Sequence, residues 1–400
     1  MVVGLTQDGQ HSVFVHGAAD ATGGALDEDA VFEIGSITKL FTALLLADMV
    51  HRGEAALDEP VAALLPSGTR VPDRHGRPIT SLRLANHTSG LPKLPSDLPP
   101  DSPEPYDGYT PERLYAVLAG HQLARTPGEG FEYSNLGAGL LGHALGRRAG
   151  QDYADLVASR ILRPLGMSST AVHLPPALAA RFASGHDDSG EPLPAWDLGV
   201  LAGAGGLRST VPDMLLFLEA LMDGTGPLAP AAALLMAPRD TGGLGLGLPQ
   251  PEGHVILQHN GGTGGFRSYA GCVPAWRHGA VVLANAMTGA CDDLGIHLCD
   301  PRWALHWFRQ PAAAPACLDR LLGRYRMRPG LLFDVTRRGD RLMVQLTGQA
   351  AFRAFPLSEW HFFTKVFGAQ ITFEPGPDGR AARLILHQNG RDQAAELIEA

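Results

Sequence analysis

The sequence predicts a mixed α+β protein that carries a second, smaller all-β unit at its C-terminal end. Three observations lead there. Strand patterns stand at the start of the chain and again after residue 250, with helical patterns between them. An apolar run, "LFTALLLADMV", follows "VFEIGSITK" and reads as one buried helix. Beyond residue 318 the helical patterns stop, and short strand-like stretches are joined by turns of Gly, Asp and Pro.

The opening "MVVGLTQDGQHSVFVHG" reads as a hairpin turning at Asp8-Gly9. A Gly/Ala/Asp-rich loop covers 17–29, and a helix is predicted over 36–51, closed by Gly53. Residues 57–110 are dense in Pro, Gly and Asp, a long irregular connection of the kind that often carries function. Helices are predicted over 111–119, 136–149 and 153–162, the last ended by Pro164. Residues 172–206 are loop-rich, and "DMLLFLEALMDG" is an amphipathic helix after Val211-Pro212. "HVILQHNG", "SYAGCVPA" and "GAVVLANA" read as strands, and a last helix spans 293–308. "RQPAAAPACL" has the composition of a linker, and residues 318–400 suggest a small antiparallel barrel or sandwich. The expected division is therefore 1–310, a linker at 311–317, and 318–400.

Hydrophobic residues make up 45% and charged residues 18% of the 400, enough apolar material for a real core. The net charge of −9, with no basic block, leaves no footprint for nucleic acid or an anionic membrane. The longest apolar run, 40–50, contains Asp48 and is too short to span a bilayer. No basic n-region precedes the first apolar residues, so no secretory signal is read. The four cysteines form no CxxC pair and suggest core thiols in a reducing compartment. The 16 histidines show no HExxH or similar spacing, so neither a metal nor another cofactor is expected.

Three stretches carry candidate chemistry. In "GSITK", Ser36 and Lys39 stand three apart and share a helix face. Ser36 can be a helix N-cap with Lys39 on the rim. It can also be a nucleophile whose proton passes to a lysine of lowered pKa, with the helix N-terminus around the developing oxyanion. In "EYSNLG", Tyr133 can shuttle a proton, and Asn135 can hold a substrate amide oxygen or orient Lys39; otherwise Asn135 caps the next helix. In "LQHNGGTGG", His259, Asn260, Gly261 and Gly262 end a strand where glycine lets a backbone approach a substrate, or else form a hairpin with an exposed histidine. His259 can bring a hydrogen bond or a positive charge. Arg267 and His87 read as structural, although Arg267 also offers a charge for a substrate carboxylate.

The three motifs in this order resemble the serine β-lactamases and D-alanyl-D-alanine peptidases, in the branch of class C β-lactamases, carboxypeptidases and related esterases. "LANHTSGLP", "PGEGFEYSNLGAGLLG", "RPLGMSST" and "GAGGLRST" support the resemblance, which covers roughly 1–310. The chain begins almost at its first strand, without the leading helix usual in the family. The tail, with "LGRYRM" and "ITFEPGPDGRAARLILHQ", resembles the lipocalin-like domain often fused to such hydrolases.

The resemblance implies an antiparallel sheet flanked by helices with an all-helical region inserted and the site between them. It implies Ser36 as the acylated nucleophile and Lys39 and Tyr133 as the proton relay. Asn135, His259, Asn260 and Gly261 would contact substrate, and the Ser36 and Gly262 amides would form the oxyanion hole. The substrate would be a small molecule or peptide with an amide, lactam or ester carbonyl. A penicillin-binding-protein-type thioesterase that cyclises a peptide thioester and a slow-deacylating sensor are the rivals. The location expected is cytoplasmic for the chain as given, and periplasmic or secreted if a leader has been removed. Oligomeric state is not read from the sequence.

Overall fold

Asp8 and Gly9 both adopt positive φ, the backbone that a tight hairpin needs, and they join β1 (Val2–Gln7) to β2 (Gln10–Val15). This computed structural model describes residues 1–99, 102–188, 190–237, 244, 255–303, 305, 317–328, 330–347, 351–364, 369–388 and 391–399. Two compact units result. One comprises Met1–His186, Pro192–Ala286 and Leu294–Ala304; the other comprises Asp187–Glu191, Met287–Asp293 and Leu305–Ala400.

In the first unit a short strand, β3 (Phe32–Glu33), runs into a 3-10 turn, Gly35–Ile37, and then α1 (Thr38–His51). Every residue of α1 from Thr38 to Met49 is buried, so this helix is enclosed on all sides and lies inside the unit. Phe41 stacks on Phe217 with ring centroids 3.9 Å apart. The irregular 57–110 stretch holds a 3-10 turn and the short α2 (Ser81–Ala85). Then follow α3 (Pro111–Gly120) and α4 (Asn135–Ala149), the latter closed by Gly150 at φ 70°. The helix expected over 153–162 is α5 (Tyr153–Val157) continued by one π-helical turn, Ala158–Leu162. The loop-rich 172–206 region contains α6 (Pro176–Ala179), the strand pair β4 (Gly185–His186) and β5 (Pro192–Leu193), and a 3-10 turn at Gly199–Ala204. β6 (Arg208–Ser209) pairs with β3 and leads to α7 (Val211–Met222) and α8 (Ala229–Met236).

The main sheet is antiparallel, with β7 (Leu257–Gly262), β8 (Arg267–Val273) and β9 (His278–Ala284) joined to the first hairpin in the order β2-β1-β9-β8-β7. All but the first residue of β8 and of β9 are buried, because elements cover both faces of the sheet centre. β7 is an edge strand, and that position matters for the site. The last helix, α9 (Ala290–Cys299), starts earlier and stops sooner than the expected 293–308. Asp300 precedes Pro301, and the proline ring disfavours helical backbone at the residue before it. Residues 304 and 306–308 of that expectation lie outside the described residues, as does the expected linker apart from Cys317.

The second unit settles the choice between barrel and sandwich. Eight antiparallel strands, β10 (Gly323–Arg328), β11 (Leu331–Arg338), β12 (Arg341–Leu346), β13 (Ala351–Pro356), β14 (His361–Thr364), β15 (Gln370–Pro375), β16 (Ala381–Gln388) and β17 (Arg391–Glu399), follow one another round a closed barrel. Pairing of β17 with β10 closes it, which abolishes the open edges a sandwich would keep. Tyr325, Phe333, Val344, Phe362, Phe373 and Leu384 are buried in its core. The lipocalin-like expectation for this unit is met.

Three cysteines, Cys272, Cys291 and Cys299, are buried thiols as expected, but Cys317 is exposed. Among the described residues no helix is long and apolar enough to cross a membrane, and no cluster of three or more His, Cys, Asp and Glu could hold a metal ion.

Candidate active site

Ser36 is the one residue between Ala30 and Met49 that is not fully buried. It sits in the 3-10 turn, not at a cap position: Ile34 and Ile37 occupy the two N-caps, and neither offers a side-chain hydrogen bond. The capping explanation for Ser36 therefore fails. Its Oγ instead accepts a hydrogen bond from Lys39 Nζ at 2.9 Å. Lys39 is buried, and its Nζ also donates to the Ala204 carbonyl at 2.6 Å. Burial alone pulls its pKa down to about 7, with no contribution from a neighbouring carboxylate or cation. Near neutral pH much of this lysine is therefore a free amine touching a serine hydroxyl.

The second motif docks on the loop after α2. Ser134, not Asn135, is the N-cap of α4: its Oγ accepts from Gly137 N at 2.8 Å and donates to the Pro92 carbonyl at 2.6 Å. Asn135 N–H donates to the Lys93 carbonyl at 2.8 Å. These bonds bring Tyr133 to the nucleophile. Its hydroxyl shares a hydrogen bond with Ser36, and Lys39 Nζ lies 4.9 Å from its ring centroid. Burial holds the Tyr133 pKa well above the ordinary phenol range, so it is a neutral proton donor at physiological pH. Asn135 Nδ2 reaches Tyr106 Oη at 3.4 Å, and its Oδ1 is buried without a partner. The group that orients Lys39 is thus the Ala204 carbonyl, where Asn135 was one expectation.

The third motif lies on the edge strand β7. Gly262 pairs with Arg267, and the next residue, Thr263, donates its N–H to the Phe266 carbonyl at 3.1 Å. Hydrogen-bonded and non-hydrogen-bonded pairs alternate along an antiparallel ladder. Gly262 N–H therefore points away from β8, off the sheet edge. It faces the nucleophile turn: a Cβ on Gly35 would come within 2.7 Å of the Gly262 nitrogen, and Gly35 itself has φ +48°. Only glycine fits there. The backbones of Gly35 and Gly262 consequently lie against each other, one residue from Ser36.

His259 lies three residues before Gly262 on the same strand, its ring 6.3 Å from that of Tyr133. Its Nδ1 lies 2.5 Å from the Asn260 carbonyl, which can only accept, so Nδ1 carries the proton and Nε2 is a bare acceptor. Desolvation first, and the charge of Lys39 second, lower its pKa to about 4. Of the two options for His259, a hydrogen bond or a positive charge, this lowered pKa favours the neutral, hydrogen-bonding ring. Asn260 is exposed, and strand alternation turns it to the face opposite His259. Gly261 packs against Ile34, whose carbonyl accepts from Ser268 Oγ at 2.9 Å. Arg267 lies over Gly262, its Nη1 2.9 Å from where a Cβ would stand. His87 is buried against Tyr133.

Two participants escaped the sequence reading. Ala204 acts through its backbone, although "GAGGLRST" marked its neighbourhood. Tyr106 lies in the Pro-rich irregular stretch, where no periodicity marks it.

A neutralisable lysine on a serine hydroxyl beside a phenol, on a sheet-and-helix scaffold of this topology, defines a serine hydrolase of the β-lactamase/DD-peptidase class. The chain belongs to the Beta-lactamase family, whose description matches residues 1–297. Residues 309–397 match a family described only as a domain of unknown function (DUF3471). Among curated relatives, the D-alanyl-D-alanine-carboxypeptidase/endopeptidase AmpH of Escherichia coli (strain K12) is 30% identical over 64% of this chain and 71% of its own length. Penicillin-binding protein 4* of Bacillus subtilis (strain 168) is 26% identical over 92% of this chain and 88% of its own. A solved β-lactamase/D-alanine carboxypeptidase from Yersinia pestis superposes with a TM-score of 0.63 at 26% identity, covering 71% of this chain and 86% of that one.

The closeness of Gly35 to Gly262 gives a direct test. Gly35→Ala combines a left-handed backbone with a Cβ in sub-van-der-Waals contact, and should cost about 1–3 kcal/mol in denaturant unfolding. Its folded fraction should lose acylating activity because the Gly35 and Gly262 backbones beside Ser36 are forced apart. An Ala variant with wild-type stability and activity would contradict the geometry described.

Proposed function

We propose that this protein hydrolyses an amide or lactam carbonyl of the D-alanyl-D-alanine or β-lactam type through an acyl-enzyme on Ser36. The observation that carries the reading is the 2.9 Å contact between Ser36 Oγ and a lysine whose pKa burial has brought to about 7. The free amine of Lys39 takes the Ser36 proton as Oγ bonds to the carbonyl carbon. The oxyanion that forms is held by the Ser36 and Gly262 amides, each such donor being worth about 3–4 kcal/mol in comparable sites. Tyr133 gives its proton to the leaving nitrogen and is reprotonated from the Lys39 ammonium. Water then attacks the acyl-enzyme and the same relay runs in reverse. Asn135 Oδ1 and His259 Nε2 are acceptors available to the substrate, a small molecule or peptide.

A second reading, a small-ester hydrolase, is favoured by the neutral His259. A substrate with no carboxylate to pair loses nothing from the absence of charge there. Turnover on nitrocefin, a D-Ala-D-Ala peptide and a p-nitrophenyl ester separates the two readings.

Ser36→Ala should abolish labelling by a fluorophosphonate or an acylating β-lactam, and full labelling of that variant would remove Ser36 from the mechanism. The pH dependence has a definite sign. Lys39 acts as the free amine, so the acylation rate should rise with pH through about 7 and level off above it. Lys39→Arg, charged at every accessible pH, should acylate about 10²–10⁴-fold more slowly. A rate that falls as pH rises through 7 would contradict the role given to Lys39.

A further inference from the structure

α2 ends in a Schellman motif. Thr88 N–H donates to the Arg83 carbonyl at 2.9 Å, and His87 N–H to the Leu84 carbonyl at 3.4 Å. The left-handed residue of that motif is ordinarily glycine, yet here it is His87, at φ +59° and buried. A side chain kept at a strained backbone position points to a task for that side chain.

The contacts of His87 converge on one residue. Glu132 N–H donates to the His87 carbonyl at 2.9 Å, and Ser134 N–H donates to His87 Nδ1 at 3.2 Å. The amides on either side of Tyr133 are thus both held by His87. The imidazole also lies against the Tyr133 ring, with centroids 4.5 Å apart. Because Nδ1 accepts, its proton is on Nε2, and the ring is neutral, as its burial requires.

Resting on the acyl-transfer reading above, in which Tyr133 protonates the leaving group, we propose that His87 is a positioning residue that holds the Tyr133 phenol on Ser36. It touches neither Ser36 nor, in that reading, the substrate. Its imidazole replaces what a glycine there would leave open: an acceptor for Ser134 N–H and a wall for the phenol. An error of about 1 Å in such placement costs about a hundredfold in rate.

Two variants separate positioning from folding. His87→Gly removes the imidazole and relieves the left-handed strain. His87→Asn tolerates the same backbone and sets Oδ1 where Nδ1 accepts. With the full chain, kcat and KM are measured on nitrocefin or the p-nitrophenyl ester, whichever the wild type turns over, together with the melting temperature. His87→Gly should lose about a hundredfold in kcat with KM nearly unchanged, and His87→Asn should recover most of it. A wild-type kcat in His87→Gly, or equal losses in both variants, would overturn the assignment. Should the glycine variant fail to fold, the His87→Asn protein decides alone: near-wild-type kcat supports the assignment, and a hundredfold loss overturns it. A wild type that neither turns over substrate nor labels at Ser36 would overturn the acyl-transfer reading and this assignment together. A working wild type with an unaffected His87→Gly overturns this assignment only.

Discussion

The site depends on one energetic imbalance: an amine taken out of water with no carboxylate to balance it. Lys39 is buried on a helix enclosed on all sides, and its polar partners are a hydroxyl and a carbonyl. Neither offers the compensation that a carboxylate would. The charged form is therefore penalised, and the pKa falls by the full effect of desolvation. An exposed lysine at this spacing would stay an ammonium and accept no proton. An ion-paired one would be worse, because its partner would stabilise the inert form.

The rest of the first unit serves to place groups around that amine. α1 crosses the interior, so its first turn arrives at the sheet edge with the amine already dehydrated. β7 is the edge strand, and the ladder alternation that leaves an edge amide unpaired turns Gly262 N–H off the sheet, on the side where Gly35 packs. Glycine at 35 lets the two backbones approach. The segment from His87 to Lys93 holds residues 132–135 through backbone and imidazole acceptors, so that Tyr133 meets Ser36 from the third side. Helix, strand and loop each contribute one wall, and none of the three suffices alone.

Much of this was legible in the sequence where local chemistry decides it. The hairpin at Asp8-Gly9, the helices α3 and α4, and the strands β7 to β9 follow from turn residues and periodicity. Ser36, Lys39, Tyr133 and Gly262 became candidates only when three local motifs were read together, and their roles came from the family resemblance, since S-x-x-K alone left Ser36 open as a helix cap. What remained hidden depends on tertiary surroundings. Ser36 could be taken for a cap until the 3-10 turn placed Ile34 and Ile37 there. Asn135 and Ser134 both suit an N-cap, and only the Pro92 carbonyl decides between them. The charge on His259 could not be read at all, since it is set by burial and by Lys39, far away in sequence. Backbone acceptors such as Ala204 leave no trace in side-chain identity.

The central claim is that Lys39 is poised between its charged and neutral forms near pH 7. The chain has three lysines, Lys39, Lys93 and Lys365, so a protein labelled with 13Cε-lysine gives three resonances that substitution can assign. Titration should move the Lys39 signal with a midpoint at about 7. A Lys39 midpoint near the ordinary lysine value of about 10.4 would contradict the account, because a lysine that stays charged cannot take the serine proton.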